Sequence, residues 1–287
     1  MTATDRVPVC LSIAGSDSGG GAGIQADLKA FARCGVHGAT AITAVTAQNT
    51  VAVAGVLAID PALVVAQVEA VAGDLGVDAV KIGMVGGAPV IEAIAAVLDA
   101  LPPGTPVVLD PVMVAESGGR LLAADAERAL IELLLPRATV VTPNVPEARV
   151  LAGAGAAVAA LDGEPLARAV RAAGAHGVIV TGGHRAEAVD VLLDGEDVVL
   201  IAGPRHPDGA AHGSGCTHSS ALAAHLALGF SLREAARAAR AIAADAVAHG
   251  HRGLGRGAGP VNVLGVGHGE VHAVSAPGRL GAAPAAR

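Results

Sequence analysis

The run His212-Gly213-Ser214-Gly215-Cys216-Thr217 stands directly before a helix-period segment, so unpaired backbone amides and the positive end of a helix dipole converge there. Gly213, Ser214, Gly215 and Cys216 thus outline an anion hole. Phosphoryl transfer needs such donors for the equatorial oxygens, together with a proton acceptor near the attacking hydroxyl. At this helix end the pKa of Cys216 would fall from about 8.5, which suits a thiolate base or a hydrogen-bonding partner for a hydroxyl. The alternative is a buried structural thiol. Cys10, inside an apolar run, and Cys34, near a helix end, lack such surroundings and read as structural.

A second glycine cluster, Gly15-Ser16-Asp17-Ser18-Gly19-Gly20-Gly21-Ala22-Gly23, follows an apolar run and opens a helical pattern. Gly21 and Ala22 stand where a Walker loop has Lys and Ser or Thr, and the cluster does not read GxGxxG. Glycines here would let the backbone approach a flat ligand. Asp27, on the next helix, could accept hydrogen bonds from a ligand hydroxyl or amine, or be an exposed helix carboxylate beside a tight turn.

Three more segments close apolar runs: Lys81-Ile82-Gly83-Met84, Asp110-Pro111-Val112-Met113 and Thr142-Pro143-Asn144-Val145-Pro146-Glu147. In an open parallel sheet such ends share one cleft. Asp110 and Glu147 are oxygen donors suited to Mg²⁺ held largely through water, or else helix caps. Eleven histidines, including His249 and His251, offer neither a third aligned ligand nor an HExxH helix, and they read as surface residues rather than a zinc site.

The elements that must position these residues are short apolar runs without polar alternation at 9–14, 41–47, 80–84, 107–109, 140–142 and 178–181, which read as strands buried on both faces. Between them lie helix-period segments at 24–33, 61–74, 89–101, 123–134 and 165–173. The result is an α/β fold whose mostly parallel central sheet is flanked by helices. Asp194-Gly195, between two apolar runs over 188–202, predicts an antiparallel edge hairpin. Two helices follow, one through about residue 228 and one over 232–249. Without a linker, residues 1–274 read as one domain, and 275–287 as a poorly ordered tail.

Of the 287 residues 52% are hydrophobic and 16% charged, enough for a full core and contrary to a disordered chain. A formal charge of −7 with only two aromatic residues, both Phe, argues against a nucleic-acid partner. Apolar stretches such as 154–161 fall far short of the roughly 20 residues that span a bilayer, and the N-terminus lacks a signal pattern, so a cytoplasmic protein is expected. Three widely spaced cysteines, odd in number and without CxxC, make no disulfide framework.

Taken in order, Ala14 to Asp17 with Gly19 to Lys29, Ala47-Gln48-Asn49-Thr50, Lys81 to Met84, Leu109 to Met113, Thr142-Pro143-Asn144 and Gly213 to Thr217 resemble hydroxymethylpyrimidine/phosphomethylpyrimidine kinases of the ribokinase-like superfamily. The resemblance covers roughly residues 9–261. It implies a three-layer ribokinase-like fold and MgATP-dependent phosphorylation of 4-amino-5-hydroxymethyl-2-methylpyrimidine and then of its monophosphate, toward thiamine diphosphate. It further implies that Gln48 meets the pyrimidine edge, Asp27 its hydroxymethyl side, and that Gly15, Ala22, Met84 and Val112 shape the pocket. Asn144, Thr181, Gly183 and Arg256 are then nucleotide-binding, Asp110 and Glu147 hold the metal, and a homodimer is expected. A glutamine amide suits an aminopyrimidine because it both donates and accepts.

The resemblance is broken at Thr181-Gly182-Gly183-His184, where the family commonly has Lys-Gly-Gly-His, and at Arg256, which replaces a frequent lysine. A lost phosphate-facing ammonium could cost a few kcal/mol of transition-state stabilisation unless another cation substitutes, and Arg120, Arg185 and Arg256 are candidates. His218 stands where an apolar residue is expected. Related alternatives are a pyridoxal or pyridoxine kinase and a non-catalytic pyrimidine binder.

Overall fold

Uninterrupted apolar runs become the middle of a nine-stranded sheet in the computed structural model, which describes residues 6–113, 122–182, 188–207 and 209–267. The strands are β1 (Val9–Ser16), β2 (His37–Gln48), β3 (Val53–Ala58), β4 (Ala79–Ile82), β5 (Val107–Leu109), β6 (Val140–Val141), β7 (Gly177–Val180), β8 (Val189–Asp194) and β9 (Asp197–Ala202). They lie in the order β3-β2-β1-β4-β5-β6-β7-β8-β9. Neighbours from β2 to β7 are parallel, and β3, β8 and β9 join antiparallel. The strands β1, β4, β5, β6 and β7 are buried almost throughout, which is why their sequences show no alternation.

Helices α1 (Gly23–Arg33), α2 (Pro61–Asp74), α3 (Ala88–Leu98), α4 (Ala124–Ala129), α5 (Val145–Leu151), α6 (Ala156–Ala159), α7 (Gly163–Ala172), α8 (Ser214–Ala227) and α9 (Leu232–Ala248) complete the described elements with a π turn and a 3-10 turn after α4. One core cluster joins Leu11, Ile13, Ile82, Leu109 and Val141 to α2, α3 and α7. The other joins Cys10, Ala79, Val108 and Val140 to Phe31 of α1 and to α8 and α9. Alternate residues of each strand thus serve opposite helix layers, giving the expected three layers.

Three details depart from expectation. The segment 123–134 is helical, but only α4 is α-helix; Leu130–Leu134 is a π turn and Leu135–Arg137 a 3-10 turn, where Pro136 removes an amide from the ladder. The hairpin turns at Gly195-Glu196, one residue later than Asp194-Gly195, since Asp194 pairs with Asp197 and Gly195 takes the positive φ of 56° that opens a type II′ turn. Strand β3 was not anticipated at all. The expected tail at 275–287 lies outside the described residues, and no described helix is long and apolar enough to cross a membrane.

Candidate functional site

The carboxyl ends of the parallel strands and the start of α8 enclose a cavity of about 440 Å³. Gly15, Ala22, Gln48, Met84 and Val112 border it, as do Asp110, Asn144, Glu147, Thr181, Gly213, Ser214, Gly215 and Cys216. Motifs separated by up to two hundred residues therefore meet, because each closes a strand or opens a helix on the same sheet edge.

At one end Gly15 donates its amide to the Met84 carbonyl at 3.1 Å, and a Cβ on Gly15 would lie 2.2 Å from Met84 Cε, so the missing side chain is what seats the methionine. Gln48 Oε1 accepts from Thr46 Oγ1 at 3.3 Å, which leaves the amide NH₂ as a donor for a ligand. Asp17 accepts the amides of Gly19, Gly21 and Ala22 at 2.8, 3.1 and 2.8 Å. It also faces His212 Nε2 at 3.1 Å. Burial alone would raise the Asp17 pKa, but His212 and these amides more than offset it and hold the carboxyl below the usual range.

Asp27 has a different place from the one expected. It is fully buried under the cavity, where its oxygens take Lys81 Nζ at 2.9 and 3.0 Å, Ser12 Oγ at 2.6 Å and Ser220 Oγ at 2.7 Å. No acceptor is left to reach a substrate, so Asp27 is the counter-ion of Lys81 and not a substrate ligand. Burial opposes the Lys81 charge, but Asp27, Cys216 and Asp110 more than offset it and hold the ammonium above its ordinary pKa. Lys81 Nζ is 4.0 Å from Asp110 Oδ2.

α8 begins at Gly213, whose φ of 87° lets the chain turn into the helix, and it has no capping side chain. The Ser214 amide is taken by the Ala211 carbonyl at 2.9 Å, so Gly215 and Cys216 supply the amides left for an anion. The Cys216 thiol opens to the cavity on one side and is enclosed by protein on the others. That enclosure, with Asp27 and Asp110 beside it, pushes its pKa up to about 12 against the pull of Lys81 and the Gly23 amide. The expected lowering by the helix end does not occur, and Cys216 is a neutral thiol at neutral pH.

Asp110 accepts Ser219 Oγ at 2.8 Å, and burial pushes its pKa up despite Lys81. Glu147 and Asn144 form a reciprocal capping box at the start of α5, with Asn144 N to Glu147 Oε2 and Glu147 N to Asn144 Oδ1 both 2.9 Å. Burial, then Asp110, raises the Glu147 pKa to about 7 against the Asn144 and Met113 amides. The helix-cap alternative for Glu147 therefore holds, and its side chain also borders the cavity.

A profile of the family described as Phosphomethylpyrimidine kinase matches residues 17–262. The chain belongs to that family. A hydroxymethylpyrimidine/phosphomethylpyrimidine kinase of Rhizobium meliloti is 50% identical over 258 residues, covering 88% of this chain and 96% of that protein. The ADP complex of Bacillus subtilis pyridoxal kinase is similar with a TM-score of 0.79 and 37% identity, over 89% of this chain and 97% of that one. Phosphomethylpyrimidine kinase from Clostridium difficile 630 gives 0.69 and 37%, over 81% and 96%. The fold is ribokinase-like and the chain is a kinase.

Not every expected residue of this kinase reaches the cavity. Arg256 is exposed and does not border it; its amide instead donates to Thr50 Oγ1 at 3.2 Å, on the far side of the sheet from β7. Gly183, Arg120 and Arg185 lie outside the described residues. Sequence reasoning gave no role to Asp17, Asp190, Arg205, His212 and Arg240, which all border the cavity. Asp190 left a trace, as a charged residue inside the apolar run 188–202, whereas Arg205 sits in a polar stretch and Arg240 in a helical pattern that already carries Arg233 and Arg237, where one more arginine is unremarked.

Proposed function

We propose that this kinase moves the γ-phosphoryl group of ATP onto the hydroxymethyl oxygen of 4-amino-5-hydroxymethyl-2-methylpyrimidine, and then moves a second onto the resulting monophosphate, for thiamine diphosphate synthesis. The observation that carries the reading is a single cavity with a flat-ring end and an anion-binding end. Gly15, Ala22, Met84 and Val112 offer apolar surface to a ring, and Gln48 offers a donor to its edge. At the other end the amides of Gly215 and Cys216 receive the charge that grows on the transferring group.

In each transfer an acceptor oxygen forms a bond to the γ-phosphorus as the bond to ADP breaks, and in the first the hydroxyl proton passes late, in a loose transition state, to an oxygen of the transferred phosphoryl group. A thiolate at Cys216 is unnecessary for that step. The neutral thiol holds the hydroxyl, and Lys81 lies beneath it with its charge balanced by Asp27 and Asp110. Asp110 raises the demand of the partly buried Glu147 for a proton or cation, and these two carboxylates suit a metal that keeps most of its waters. Mg²⁺ bound there would neutralise phosphate charge. The same reading includes work in the cytoplasm as a homodimer, for which the exposed aliphatic residues Val56 and Leu57 of β3 speak, and no nucleic-acid partner, for which the charge of −7 speaks.

A pyridoxal kinase reading has behind it the similarity to solved pyridoxal kinases, that of Bacillus subtilis among them. Incubating purified chain with ATP, Mg²⁺ and hydroxymethylpyrimidine, its monophosphate or pyridoxal, and resolving products by mass spectrometry, separates the two. Sequential mono- and diphosphate products are expected. Turnover confined to pyridoxal would replace the pyrimidine reading, and binding without ATP consumption would replace both.

A further inference from the structure

Among the described residues, four carboxylates border the cavity, those of Asp17, Asp110, Glu147 and Asp190. Against them stand the cations of Lys81, Arg205 and Arg240, while Thr181, at the end of β7, is neutral. A polyphosphate entering such a cavity is repelled unless a cation is free to meet it, so what matters is which of the three is already committed.

Lys81 is fully buried, with its ammonium 2.9 Å from Asp27 and 4.0 Å from Asp110. Arg240 is held in the wall: Nη2 donates to the Ala188 carbonyl at 2.7 Å, Nε stands 3.8 Å from Asp190 Oδ2, and a Cβ on Gly203 would lie 2.7 Å from that same Nε. Its charge is balanced by Asp190. The histidines add no free donor of this kind, since His212 Nε2 faces Asp17 at 3.1 Å and both ring nitrogens of His218 are enclosed by protein. Arg205 differs from all of these. It is exposed, and among the described residues it makes neither an ion pair nor a side-chain hydrogen bond.

The chain around Arg205 is built to hold it at the cavity. Pro204 and Pro207 flank the pair Arg205-His206 and restrict its backbone. Gly203 and Gly209 seat the segment on α9, the first against Arg240 and the second against Val247, where a Cβ would lie 2.5 Å from Val247 Cγ1. Val247 borders the cavity with Ala243 and Ala244, so the helix that anchors this segment also offers apolar surface to a nucleoside. We propose that Arg205 is the residue that binds the polyphosphate of the nucleotide, supplying the uncommitted positive charge that Lys81, Arg240 and Thr181 do not. The inference rests on the reading of ATP as phosphoryl donor. A guanidinium suits the task because it is charged at every working pH and offers paired donors to phosphate oxygens.

The test compares the full chain with Arg205→Ala, Arg205→Lys and Arg205→Glu by calorimetric titration with a non-hydrolysable ATP analogue, adenosine, hydroxymethylpyrimidine and its monophosphate, alongside KM for ATP. Removing one charge-assisted contact should weaken the analogue about tenfold or more in Arg205→Ala and raise the KM for ATP in parallel. Adenosine and both pyrimidines should stay within about twofold of the parent. Arg205→Lys should keep most of the affinity, and Arg205→Glu should lose more than Arg205→Ala. Because the guanidinium is exposed, the gap between parent and Arg205→Ala should narrow from about 50 to about 500 mM salt. Unchanged analogue affinity in Arg205→Ala, a loss confined to the pyrimidine monophosphate, or an equal loss for every ligand that tracks a lowered Tm would overturn the proposal. A parent chain that binds the analogue yet phosphorylates no pyrimidine would count against the pyrimidine reading instead, and the analogue titrations would still decide the role of Arg205.

Discussion

At Cys216 two effects of opposite sign compete, and their sizes decide the chemistry. A helix end contributes about 0.3–1 kcal/mol to a nearby charge, less than a pKa unit. Enclosure and two neighbouring carboxylates contribute more, so the thiol stays protonated. The helix end is visible in the run from Gly213 to Thr217, but Asp27 and Asp110 arrive from elements far away in sequence, so the sign of the shift was not legible there. Alkylation by iodoacetamide at pH 7.5 should accordingly be more than about a hundredfold slower at Cys216 than at a free thiol, followed by peptide mass spectrometry. Rapid labelling would reinstate the thiolate. Replacement by alanine should lower kcat by about 10² while pyrimidine binding persists, and serine should keep much more of the rate. Asp27 makes the contrasting case. Asp27→Asn would strand the buried Lys81 ammonium, and the expected result is a loss of about 3–5 kcal/mol in denaturant unfolding. A stable variant with selectively weakened pyrimidine binding would instead return Asp27 to the substrate.

The same contrast between near and distant contacts governs the elements. Strands β1, β4, β5, β6 and β7 were legible because burial on both faces demands unbroken apolar runs. Strand β3 was not, since nearly all of it is exposed and Val53-Ala54-Gly55-Val56-Leu57-Ala58 carries no alternation of apolar and polar residues that would mark it. Both glycine loops were found, but not that they are one structure. Asp17 in the first faces His212 before the second, a Cβ on Gly21 would lie 2.3 Å from His212 Cδ2, and one on Gly213 would lie 1.8 Å from the Gly21 oxygen. Gly21→Ala should therefore push His212 aside and weaken pyrimidine and nucleotide binding together, each by about tenfold or more in calorimetry. Gly20→Ala is the informative comparison, because its Cβ would meet nothing nearer than Lys29 Nζ at 3.8 Å, and its strain is confined to a positive φ of 73°. Separable losses in Gly21→Ala, with one ligand affected and the other not, would show that the loops act independently.

Across the whole molecule, stability and ligand binding share the carboxylates that the sheet edge gathers. Glu147 has a folded pKa of about 7 against an ordinary 4.5, and Asp110 is shifted in the same direction. A raised carboxylate favours the folded state in its protonated form, so this contribution is complete below about pH 4.5 and is lost as pH rises through about 7. Asp17 and Asp190 are held low and titrate beneath this window, so they do not mask it. The chain without divalent cations should thus show a Tm that declines between about pH 5 and pH 8. Mg²⁺ competes with protons for the same oxygens, and its stabilisation should be larger at pH 8 than at pH 6 in a thermal-shift assay. Glu147→Gln is the decisive variant because a glutamine can still close the capping box with Asn144, which keeps α5 in place. It should flatten the pH slope and remove most of the extra Mg²⁺ shift at pH 8, without an equal loss of Tm at pH 6. An Mg²⁺ shift of the same size at both pH values, or a Glu147→Gln chain that responds like the parent, would take the metal away from this pair of carboxylates.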